Sequence, residues 1–535
     1  MRFERSIWEE PSKNTPFGAI SPDILEIYPE VKRKMSDDVR KVVSEELKRR
    51  VGVENVSDSP AVCASYGALP FFVPEIVVRP KTVEHVQTVL KIANSRAVPV
   101  TPMAGGGLIG AASTFCIPCG IVLDMSGMNK IMEINTDEGY VVLEPGVTNG
   151  QLYKALEPLG FWYALGTYNP QLSVFGPSTT QVQGHRGSFG FDDVLGLEVV
   201  LPDGTLVRTG GACVEHGSWA HQYFNFPDIH GLWLNANGML GVVTKFALRI
   251  YPKGEASNFQ IVGFNSTEQA VNFCRRVCQS TLAEHVVVWH WKGVFQMEDW
   301  GKILMGKVYD NNLISYDTFG PRSYYEPPRG VPLWIAVVTF EGFKEVAEAQ
   351  INVCNRMAQK TGGHVYSHDE FRSVFPYFYE YCVERHIRHE PQRTPSGSLG
   401  LMMPFIVLAY HGLVPPGKLT KLEQDLVRLF EEKEGMAVMS LYIQPFDQGR
   451  MMFYGFYASK LGATFEELHE CINKYKAHSA RLMKDYGFFG HKPPSFKEEA
   501  RAILEQTGGY YEVLNRIKKA LDPNNIMSPH MWPEK

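Results

Sequence analysis

A run of small residues, AGGGLIGAAS, occupies positions 104–113, and its glycines are suited to anion binding. Glycine has no Cβ, so the backbone N–H groups of such a loop can approach an anion closely. No lysine or arginine lies in 103–113, so backbone dipoles would have to hold the charge. A second small-residue stretch, GPSTTQVQGHRGSFGFDDVLGLEVVLPDG, follows at 176–204. Two such loops separated by β-rich sequence suit a long diphosphate ligand better than a single phosphate.

The sequence around the two loops has a definite order. VVRPKTVEHVQTVLKIANSRAVPVTP (77–102) predicts a strand, a helix and a strand before the first loop, and β-rich segments lie at 120–148 and 232–253. LDPNNIMSP follows at 521–529. This order resembles the FAD-binding domain of the FAD-linked oxidases, the superfamily of vanillyl-alcohol oxidase and p-cresol methylhydroxylase (PCMH). It differs from a Rossmann fingerprint, because G-x-G-x-x-G and its distant acidic residue are missing.

The resemblance implies a bound FAD that is held by the two loops and the neighbouring strands. The cofactor-binding residues that it predicts are Pro102, Ala104, Gly105, Gly106, Gly107, Leu108, Ile109, Gly110, Ser113, Pro145, Gly146, Val147, Gly176, Pro177, Thr180, Gly184, Ser188, Val242 and Val243. Relatives with covalent flavin use a histidine in the first loop, a cysteine in the second, or a His or Tyr on a cap strand. This chain lacks the first two, and Tyr454 and Tyr457 on the corresponding strand are expected to pack in a core. We therefore predict a non-covalent, dissociable FAD.

The resemblance and the element pattern predict an α+β fold: a PCMH-type FAD-binding domain with an inserted α+β cap domain, whose antiparallel sheet is covered by helices. The predicted divisions are an N-terminal arm at 1–60, the FAD-binding domain at 61–255, the cap or substrate domain at 256–495, and a C-terminal segment at 496–535 that returns to the FAD-binding domain. An amphipathic pattern predicts a helix over 36–50 in the arm.

Within the cap, strands alternate with long helices. HVVVWHW (285–291) and LWIAVVTF (333–340) predict strands, and 346–362 and 419–435 predict helices. Both helices end at a glycine, as helix C-termini often do. Such a pattern is typical of a sheet covered by helices.

The catalytic residues depart from the resembling family. Its phenol-oxidising members carry a Tyr-Arg pair that stabilises a phenolate, and Phe489 and Gly490 stand at that place. Phenylalanine donates no hydrogen bond and glycine carries no charge, so activation of a phenolate is not expected. Candidates for a base or an orienting residue are His491, His411, Tyr410 and His290, because histidine accepts a proton near neutral pH. The alternative for each is a packed or solvent-exposed side chain.

Candidate substrate contacts are Arg388, Phe489 and Tyr454. Arg385, Arg388 and His389 share a helical face within 377–393, where paired donors suit a carboxylate. The alternative is a solvated helix end that pairs with nearby glutamates. The aromatic cap favours an aromatic or bulky alcohol, from which hydride would pass to flavin N5. Three other classes stay open: an FAD-dependent 2-hydroxy-acid dehydrogenase, an alkylglycerone-phosphate-synthase-like transferase, and a non-catalytic flavoprotein subunit of an electron-transfer complex.

Bulk composition excludes several other classes. The 44% hydrophobic and 21% charged content of the 535 residues is typical of soluble globular proteins, and a net charge of −5 gives no reason to expect nucleic acid. The apolar run at 401–410 is too short to span a membrane and predicts a buried strand. Cys116 and Cys119 have no partner pair, so no metal site is expected. We expect a cytoplasmic homo-oligomer, such as a dimer, that acts on a small molecule, with a separate electron-acceptor protein as a candidate partner.

Overall fold

The computed structural model describes residues 35–66, 73–104, 120–164, 170–179, 185–223, 225–304, 323–384, 406–459, 478–479, 481–490 and 503–529. Part of the predicted site lies outside these ranges: Gly105, Gly106, Gly107, Leu108, Ile109, Gly110, Ser113, Thr180, Gly184, Arg388 and His491.

The first sheet and its helices form the start of the described chain. Its strands are β1 (Val56–Ser57), β2 (Ile76–Val78), β3 (Val100–Met103) and β4 (Ile121–Asp124), and its helices are α1 (Asp37–Val51), α2 (Pro60–Ser65) and α3 (Val83–Ser95). The order is β1-β2-β4-β3, with β2, β4 and β3 parallel. Thr82 caps α3, whose buried stripe at Val86, Val89, Leu90 and Ala93 faces the sheet core. The helix predicted at 36–50 and the strand–helix–strand pattern at 77–102 are both present.

A second, antiparallel sheet follows. The strands and helices of this region are β5 (Ile131–Asn135), β6 (Tyr140–Leu143), α4 (Asn149–Leu156), β7 (Phe161–Trp162), α5 (Phe175–Ser178), β8 (Val194–Val200), β9 (Leu206–Arg208), β10 (Val242–Arg249) and β11 (Tyr251–Pro252). The sheet order is β5-β6-β10-β8-β9, while β7 and β11 form a separate pair. Its core is the apolar interior formed by β6, β8 and β10 with α4.

The third sheet is the largest of the described sheets, with eight described strands. Its strands are β12 (Ala256–Phe264), β13 (His285–His290), β14 (Trp334–Gly342), β15 (His364–Tyr366), β16 (Ile406–Val414), β17 (Ala437–Phe446), β18 (Met451–Ser459) and β19 (Phe489–Gly490). The helices of this region are α6 (Thr267–Gln279), α7 (Trp291–Leu304), α8 (Lys344–Lys360), α9 (His368–Val374), α10 (Pro376–Phe378) and α11 (Pro416–Val427). We call these strands and helices the cap.

All neighbouring strands of the cap sheet are antiparallel, in the order β15-β12-β14-β13-β17-β18-β16-β19. The strands predicted at 285–291 and 333–340 and the helix predicted at 346–362 are confirmed as β13, β14 and α8. The helix predicted at 419–435 begins earlier, as α11, and continues as a wider π-helical turn over Arg428–Lys433. Both helices are followed by a glycine with positive φ, Gly362 at 77° and Gly435 at 64°, as the C-terminal motif requires.

The C-terminal segment pairs with the first sheet. Helix α12 (Gly509–Leu521) is followed by the LDPNNIMSP motif, in which Met527 pairs in parallel with Val100 of β3. The Asp522 carboxylate accepts hydrogen bonds from the backbone N–H groups of Ile526 and Met527 at 3.0 and 2.8 Å. These bonds explain the aspartate of the motif, because it holds the turn that returns the chain to β3.

Candidate active site

The cap sheet has one covered face and one partly open face. On the covered face, α6, α8 and α11 pack over side chains that are at most 1% exposed, among them Tyr410, Tyr454 and Phe456. Side chains alternate along a strand, so the neighbouring residues His411 and Tyr457 lie on the opposite face. His411 is only partly buried there, although the sheet extends on both sides of it. We call this opposite face the site face.

A β-bulge in β17 shapes the site face. One extra residue stands between Ser440 and Ile443, so Leu441 and Tyr442 together oppose Gly455 of β18. The bulge shifts the alternation of β17 by one residue and brings Tyr442 onto the site face, where its ring stacks on Phe453. Bulges redirect side chains in this way and recur next to active sites.

Four positions form a row across the site face. Tyr442 pairs with Trp289 of β13, and Gly455 pairs with His411 of β16. The order across the sheet is therefore Trp289, Tyr442, Gly455, His411. Gly455 has no side chain, and the rings of His411 and Phe453 lie over it, with atoms 3.4–3.8 Å from a Cβ built on it.

Aromatic contacts fix the positions of His411 and Tyr442. The His411 imidazole lies edge-on to the Tyr457 ring, with centroids 4.7 Å apart and an interplanar angle of 80°. On the other side, Tyr442 stacks on Phe453 at 5.6 Å and 22°, and Trp289 meets Tyr442 edge-on at 5.5 Å. The arrangement places one imidazole, which exchanges protons near neutral pH, in an aromatic surrounding.

The two tyrosines of the site face stay protonated at neutral pH. Burial raises the pKa of Tyr442 to about 12. Burial raises the pKa of Tyr457 well above its ordinary value, and the negative charge that Tyr442 would carry if ionised raises this pKa further. Each hydroxyl is therefore a hydrogen-bond donor rather than a base, so His411 is the described group of this row that is suited to accept a proton.

Three of the predicted site residues lie on the covered face instead. His290 is 0% exposed, stacks on Tyr324 at 4.1 Å, and has its pKa held well below the ordinary value by burial and, less strongly, by the charge of Lys292. Tyr410 and Tyr454 are 1% and 0% exposed beneath the helices. They stand next to His411 and Gly455 in sequence, and alternation sends them to the other side. The structure therefore places all three side chains in the core of the cap, beneath its helices.

A buried carboxyl group also lies beneath the covered face. The Tyr324 hydroxyl donates to Glu423 Oε1 at 2.7 Å and stands 3.4 Å from the Tyr454 hydroxyl. Glu423 is 1% exposed, and burial raises its pKa to about 7. The folded protein thus retains a proton that the unfolded chain loses near its ordinary carboxyl pKa of 4.5.

Glu423 predicts a pH dependence of stability. A raised folded-state pKa stabilises the fold below the unfolded pKa, and that contribution is lost as the pH rises through the folded pKa, here between 4.5 and about 7. Glu423→Gln keeps the neutral form, so we expect it to match the parent at pH 4 and to exceed it at pH 8, by roughly 3 kcal/mol. Urea unfolding at both pH values is the measurement, and Glu432→Gln, at an exposed neighbouring position, is the control. A variant with the same pH dependence as the parent would contradict a neutral Glu423.

Phe489 lies at the edge of the site face. It pairs with Leu413, is 47% exposed, and belongs to the two-residue strand β19. Paired residues point to the same face of a sheet, so Phe489 shares a face with His411. A Cβ on Gly412 would overlap the Phe489 carbonyl oxygen, so glycine at 412 permits the close approach of β19.

The predicted cofactor residues of the first sheet converge with two other segments. Pro102, at the end of β3, lies against Gly238, where an added Cβ would overlap its ring, and Ser528 of the C-terminal motif lies beside both. Ser528 Oγ and Asn235 Oδ1 are buried with no hydrogen-bond partner among the described residues. Buried polar atoms in native proteins are generally hydrogen-bonded, so these two atoms fit a site that takes a polar ligand.

The predicted residues around Pro145 are fixed by backbone contacts. The Ser173 hydroxyl donates to the Pro145 carbonyl at 2.6 Å. A Cβ at Gly146 would stand 2.7 Å from the carbonyl oxygens of both Met125 and Met128, so glycine is needed for packing there. Gly176 differs, because no described atom lies within 4 Å of a Cβ built on it. Gly146 therefore supports the loop by its packing, whereas the Cβ side of Gly176 has no described neighbour.

The remaining described cofactor candidates have varied surroundings. Val242 and Val243 are buried on β10, at 1% and 9% exposure, in the cores of the first and second sheets. Val147 is 0% exposed, while Ala104, Pro177 and Ser188 are partly exposed. Exposure thus leaves Ala104, Pro177 and Ser188 accessible to a ligand and places the valines behind the surface.

The second loop is attached directly to the site face of the cap. Phe189 packs on Phe446 of β17 with centroids 5.3 Å apart. Next to it, Arg186 N donates to the Glu284 carbonyl at 3.1 Å, and Gln448 N donates to the Gly187 carbonyl at 3.0 Å. These contacts bring the candidate cofactor loop and the His411 face to the same side of the cap sheet.

Sequence reasoning missed Trp289, Tyr442, Phe453 and Gly455. Regular alternation along β17 would have sent Tyr442 to the covered face, and the bulge that reverses it is not encoded by a recognisable motif. Gly455 between aromatic neighbours was the available signal, because a glycine inside a strand often marks a bulge or a close approach.

The described residues contain no group of three or more His, Cys, Asp or Glu side chains placed to hold a metal ion. Among the described helices, none is both long and apolar enough to cross a membrane.

The fold is of the PCMH type, with a large antiparallel cap sheet. The model of the "FAD binding domain" family matches residues 74–210, and that of "FAD linked oxidases, C-terminal domain" matches 499–531. The chain therefore carries an FAD-binding domain and a C-terminal segment of the FAD-linked oxidase kind, and its cofactor is FAD.

Individual relatives show how far the similarity extends. The chain is 29% identical to the glycolate oxidase subunit GlcD of Bacillus subtilis (strain 168) over 240 residues. This alignment covers 43% of this chain and 49% of that protein. It is 32% identical over 188 residues to the 4-cresol dehydrogenase [hydroxylating] flavoprotein subunit of Pseudomonas putida, covering 34% and 35%. The chain thus matches half or less of the length of these relatives.

A solved structure supports the fold over nearly the whole chain. The 4-ethylphenol oxidase of Gulosibacter chungangensis, in an isoeugenol complex, superposes with a TM-score of 0.75 over 94% of this chain and 98% of the oxidase. The two sequences are 19% identical. At that identity the likeness establishes the α+β architecture with its cap sheet and leaves the substrate to be argued from the site.

Proposed function

We propose that this protein is an FAD-dependent oxidoreductase, a dehydrogenase or oxidase, that acts on the CH–OH or benzylic CH group of an aromatic or other bulky substrate. The observation that carries the proposal is the partly buried His411, set among aromatic rings on the site face. The described side chains beside it, Tyr442, Phe453 and Tyr457, are uncharged at neutral pH. Such a lining stabilises an apolar ring and offers little to a short, charged acid.

The chain's own residues position the substrate and move its proton. When bound, the flavin supplies the redox chemistry by accepting hydride from the substrate carbon. The His411 imidazole lies over Gly455, since its Nε2 is 3.5 Å from a Cβ built on that glycine. We assign to His411 Nε2 the role of base, which takes the hydroxyl proton as the carbon loses its hydride. Tyr457 holds the His411 imidazole edge-on, and the surrounding aromatic rings exclude water.

The residues that would hold FAD are those that border ligand space. Gly176 leaves room beside α5, and Asn235 and Ser528 offer buried polar atoms where β3 and the C-terminal motif meet. The diphosphate is assigned to the backbone of the glycine-rich loop at 104–113, most of which lies outside the described residues. Arg388 and His491 lie outside them too, and stay predicted as a carboxylate contact and as an alternative base.

FAD attachment is predicted to be non-covalent. Tyr454 is buried on the covered face, so it cannot reach a flavin on the site face, and Tyr457 is the tyrosine of this pair that faces the site. Acid precipitation of the yellow protein is expected to release all flavin into the supernatant. Flavin retained by the pellet would contradict this expectation, and its loss in a Tyr457→Phe variant would then identify the attachment residue.

A substrate panel tests the function. The purified holoprotein is assayed by dye reduction with benzylic alcohols, bulky aliphatic alcohols and 2-hydroxy acids. We expect turnover with benzylic alcohols whether or not they carry a free para-hydroxyl, because Phe489 and Gly490 replace the phenolate-binding pair.

A 2-hydroxy-acid dehydrogenase is the second candidate function. It is favoured by the similarity to a glycolate oxidase subunit and to several D-lactate dehydrogenases. Turnover restricted to 2-hydroxy acids would establish the 2-hydroxy-acid dehydrogenase and reject a function on aromatic or bulky alcohols. Silence with every donor would favour a transferase or a non-catalytic flavoprotein subunit.

The surroundings of the enzyme are further predictions. The Pseudomonas relative is named a flavoprotein subunit, which supports testing a separate electron-acceptor protein alongside artificial dyes. A cytoplasmic location, a homo-oligomeric state and the domain boundaries at residues 60, 255 and 495 remain predictions from the sequence.

A further inference from the structure

We propose that Arg186 is a positioning residue, which fastens the second loop to the cap through a clasp that closes when FAD binds. The clasp consists of the contacts that residues 186–189 make with Glu284 and with the cap hairpin formed by β17 and β18. The inference goes beyond the proposed reaction and needs no turnover. It rests on the proposed function only in placing FAD at the second loop.

An ion pair joins the loop to the cap. Glu284 stands directly before β13, and its carboxylate Oε2 accepts a hydrogen bond from Arg186 Nε at 3.3 Å. The Glu284 side chain is 7% exposed and the Arg186 side chain is 51% exposed, so the guanidinium reaches a buried carboxylate from the surface. A buried charge depends on its partner more than an exposed one does, so this pair contributes more than an ordinary surface ion pair.

The backbone of Arg186 has an unusual conformation. Its φ is 51°, in the left-handed region that a residue with a long side chain rarely adopts. Such a conformation persists where the surrounding contacts impose it. Two contacts with the cap do so here, because Arg186 N donates to the Glu284 carbonyl at 3.1 Å and Gln448 N donates to the Gly187 carbonyl at 3.0 Å. The conformation of the loop is therefore matched to the cap.

Gly187 lies against a buried thiol of the cap. A Cβ built on Gly187 would lie 3.2 Å from Cys278 Sγ and 3.9 Å from Gln448 Cα. Cys278 lies near the end of α6 and is 5% exposed. Detachment of the loop would remove a cover from this thiol, so the reactivity of Cys278 reports whether the clasp is closed.

Phe189 extends the clasp to the site face. It packs against the apolar cluster of Leu413, Phe446 and Phe453, which Tyr442 also contacts. A loop that leaves the cap would withdraw one ring from this cluster. Closing the clasp therefore orders the loop and the site face together. If FAD binding favours the closed clasp, a weakened clasp must lower the affinity for FAD, because linkage is reciprocal.

Alkylation of Cys278 tests the link between the clasp and FAD. Holoprotein and apoprotein are treated with iodoacetamide, and peptide mass spectrometry follows each cysteine. We expect removal of FAD to speed the alkylation of Cys278 by about tenfold or more, because a buried thiol reacts through local opening.

Cys354 is the internal control for this experiment. It is a buried thiol on α8 of the same cap, and burial raises the pKa of both thiols to about 12. Its rate should not depend on FAD. Equal rates at Cys278 with and without FAD, or the same acceleration at Cys278 and Cys354, would overturn the link.

Variants of Arg186 test its positioning role. In Arg186→Gln with saturating FAD, Cys278 should be alkylated about fivefold faster or more, since a charge-assisted hydrogen bond is lost. The dissociation constant for FAD should rise by a similar factor, and Arg186→Lys, which retains the charge, should recover most of both effects. If Arg186→Gln does not fold, Glu284→Gln removes the other charge and decides the question.

Arg450→Gln is the matched control for Arg186→Gln. It breaks an ion pair with Asp447 of 2.7 Å at the turn of the same hairpin, and that pair stays within the cap. Both values should stay within about twofold of the parent, as expected for a surface ion pair. Parent-like values in Arg186→Gln, or equal changes in the Arg186 and Arg450 variants, would overturn the role of Arg186.

The outcomes separate the clasp from the proposed function. Protection of Cys278 by FAD, together with silence toward every donor, would retain the clasp and reject the oxidoreductase. Turnover of benzylic alcohols with the same Cys278 rate in apoprotein and holoprotein would retain the oxidoreductase and reject the clasp.

Discussion

His411→Ala is expected to lower kcat by about 10²–10⁴, the usual contribution of a positioned general base. FAD should remain bound, because His411 lies on the cap sheet and not in the convergence of Pro102, Gly238 and Ser528. The pH profile gives a second readout: the parent should lose activity as the base is protonated at low pH, and the variant should lack that limb.

The control for His411→Ala is His216→Ala, a histidine whose side chain is 92% exposed, remote in sequence from the cap sheet. Steady-state dye reduction over pH 5–9, with flavin content measured in parallel, is the measurement. Full activity of His411→Ala with an unchanged pH profile would show that His411 is not the base, and His491 would then be the next candidate.

Lys518→Met is expected to destabilise the FAD-binding region by about 3–5 kcal/mol, as the removal of one partner from a buried ion pair generally does. Lys518 Nζ is buried and donates to Asp522 Oδ2 at 2.6 Å, to the Met239 carbonyl at 2.8 Å and to the Met527 carbonyl at 2.9 Å. The substitution leaves the Asp522 carboxylate buried without its cation. Flavin retention should fall as well, because the Met239 carbonyl follows Gly238, which contacts Pro102.

Lys519→Met is the matched control for Lys518→Met, since the next lysine of α12 is exposed. Urea unfolding of the two variants with saturating FAD, together with the flavin-to-protein ratio after gel filtration, measures both effects. Similar stability of the two variants would show that the buried pair contributes nothing net, and that the C-terminal motif is held by the Asp522 turn alone.

Local patterns predicted the cofactor half of the fold well. The 77–102 segment carries its own signals: a Thr82 cap, an apolar stripe on α3 and β-branched residues in the flanking strands. The LDPNNIMSP motif was assigned to the FAD-binding domain by resemblance, and the structure adds the reason, which is the pairing of Met527 with Val100. Such features are encoded within a few residues of each other, so one sequence is enough to detect them.

The candidate site was harder to predict, because which face a side chain takes depends on register. His411 and Tyr410 are neighbours with similar chemistry, and only the packing of α11 and its companions on one side decides between them. The bulge at Leu441 and Tyr442 arises from pairing between strands and has no local signature. His290 was selected for its residue type, yet it lies in the core. The alternation of side chains along a strand could be predicted from the sequence. Which of the two faces of the sheet the helices cover could not be predicted.

Anaerobic mixing of the oxidised holoprotein with substrate tests the central claim most directly. In the absence of oxygen and dye, a single turnover reports only whether a bound donor reduces the flavin. The reduction is followed as the loss of the visible absorption of the flavin. Benzyl alcohol should bleach the flavin, and a donor with deuterium on the reacting carbon should bleach it more slowly, because that C–H bond breaks in the step. Bleaching by lactate or glycolate but not by benzyl alcohol, or no bleaching by any donor, would contradict an oxidoreductase whose site face takes an aromatic substrate.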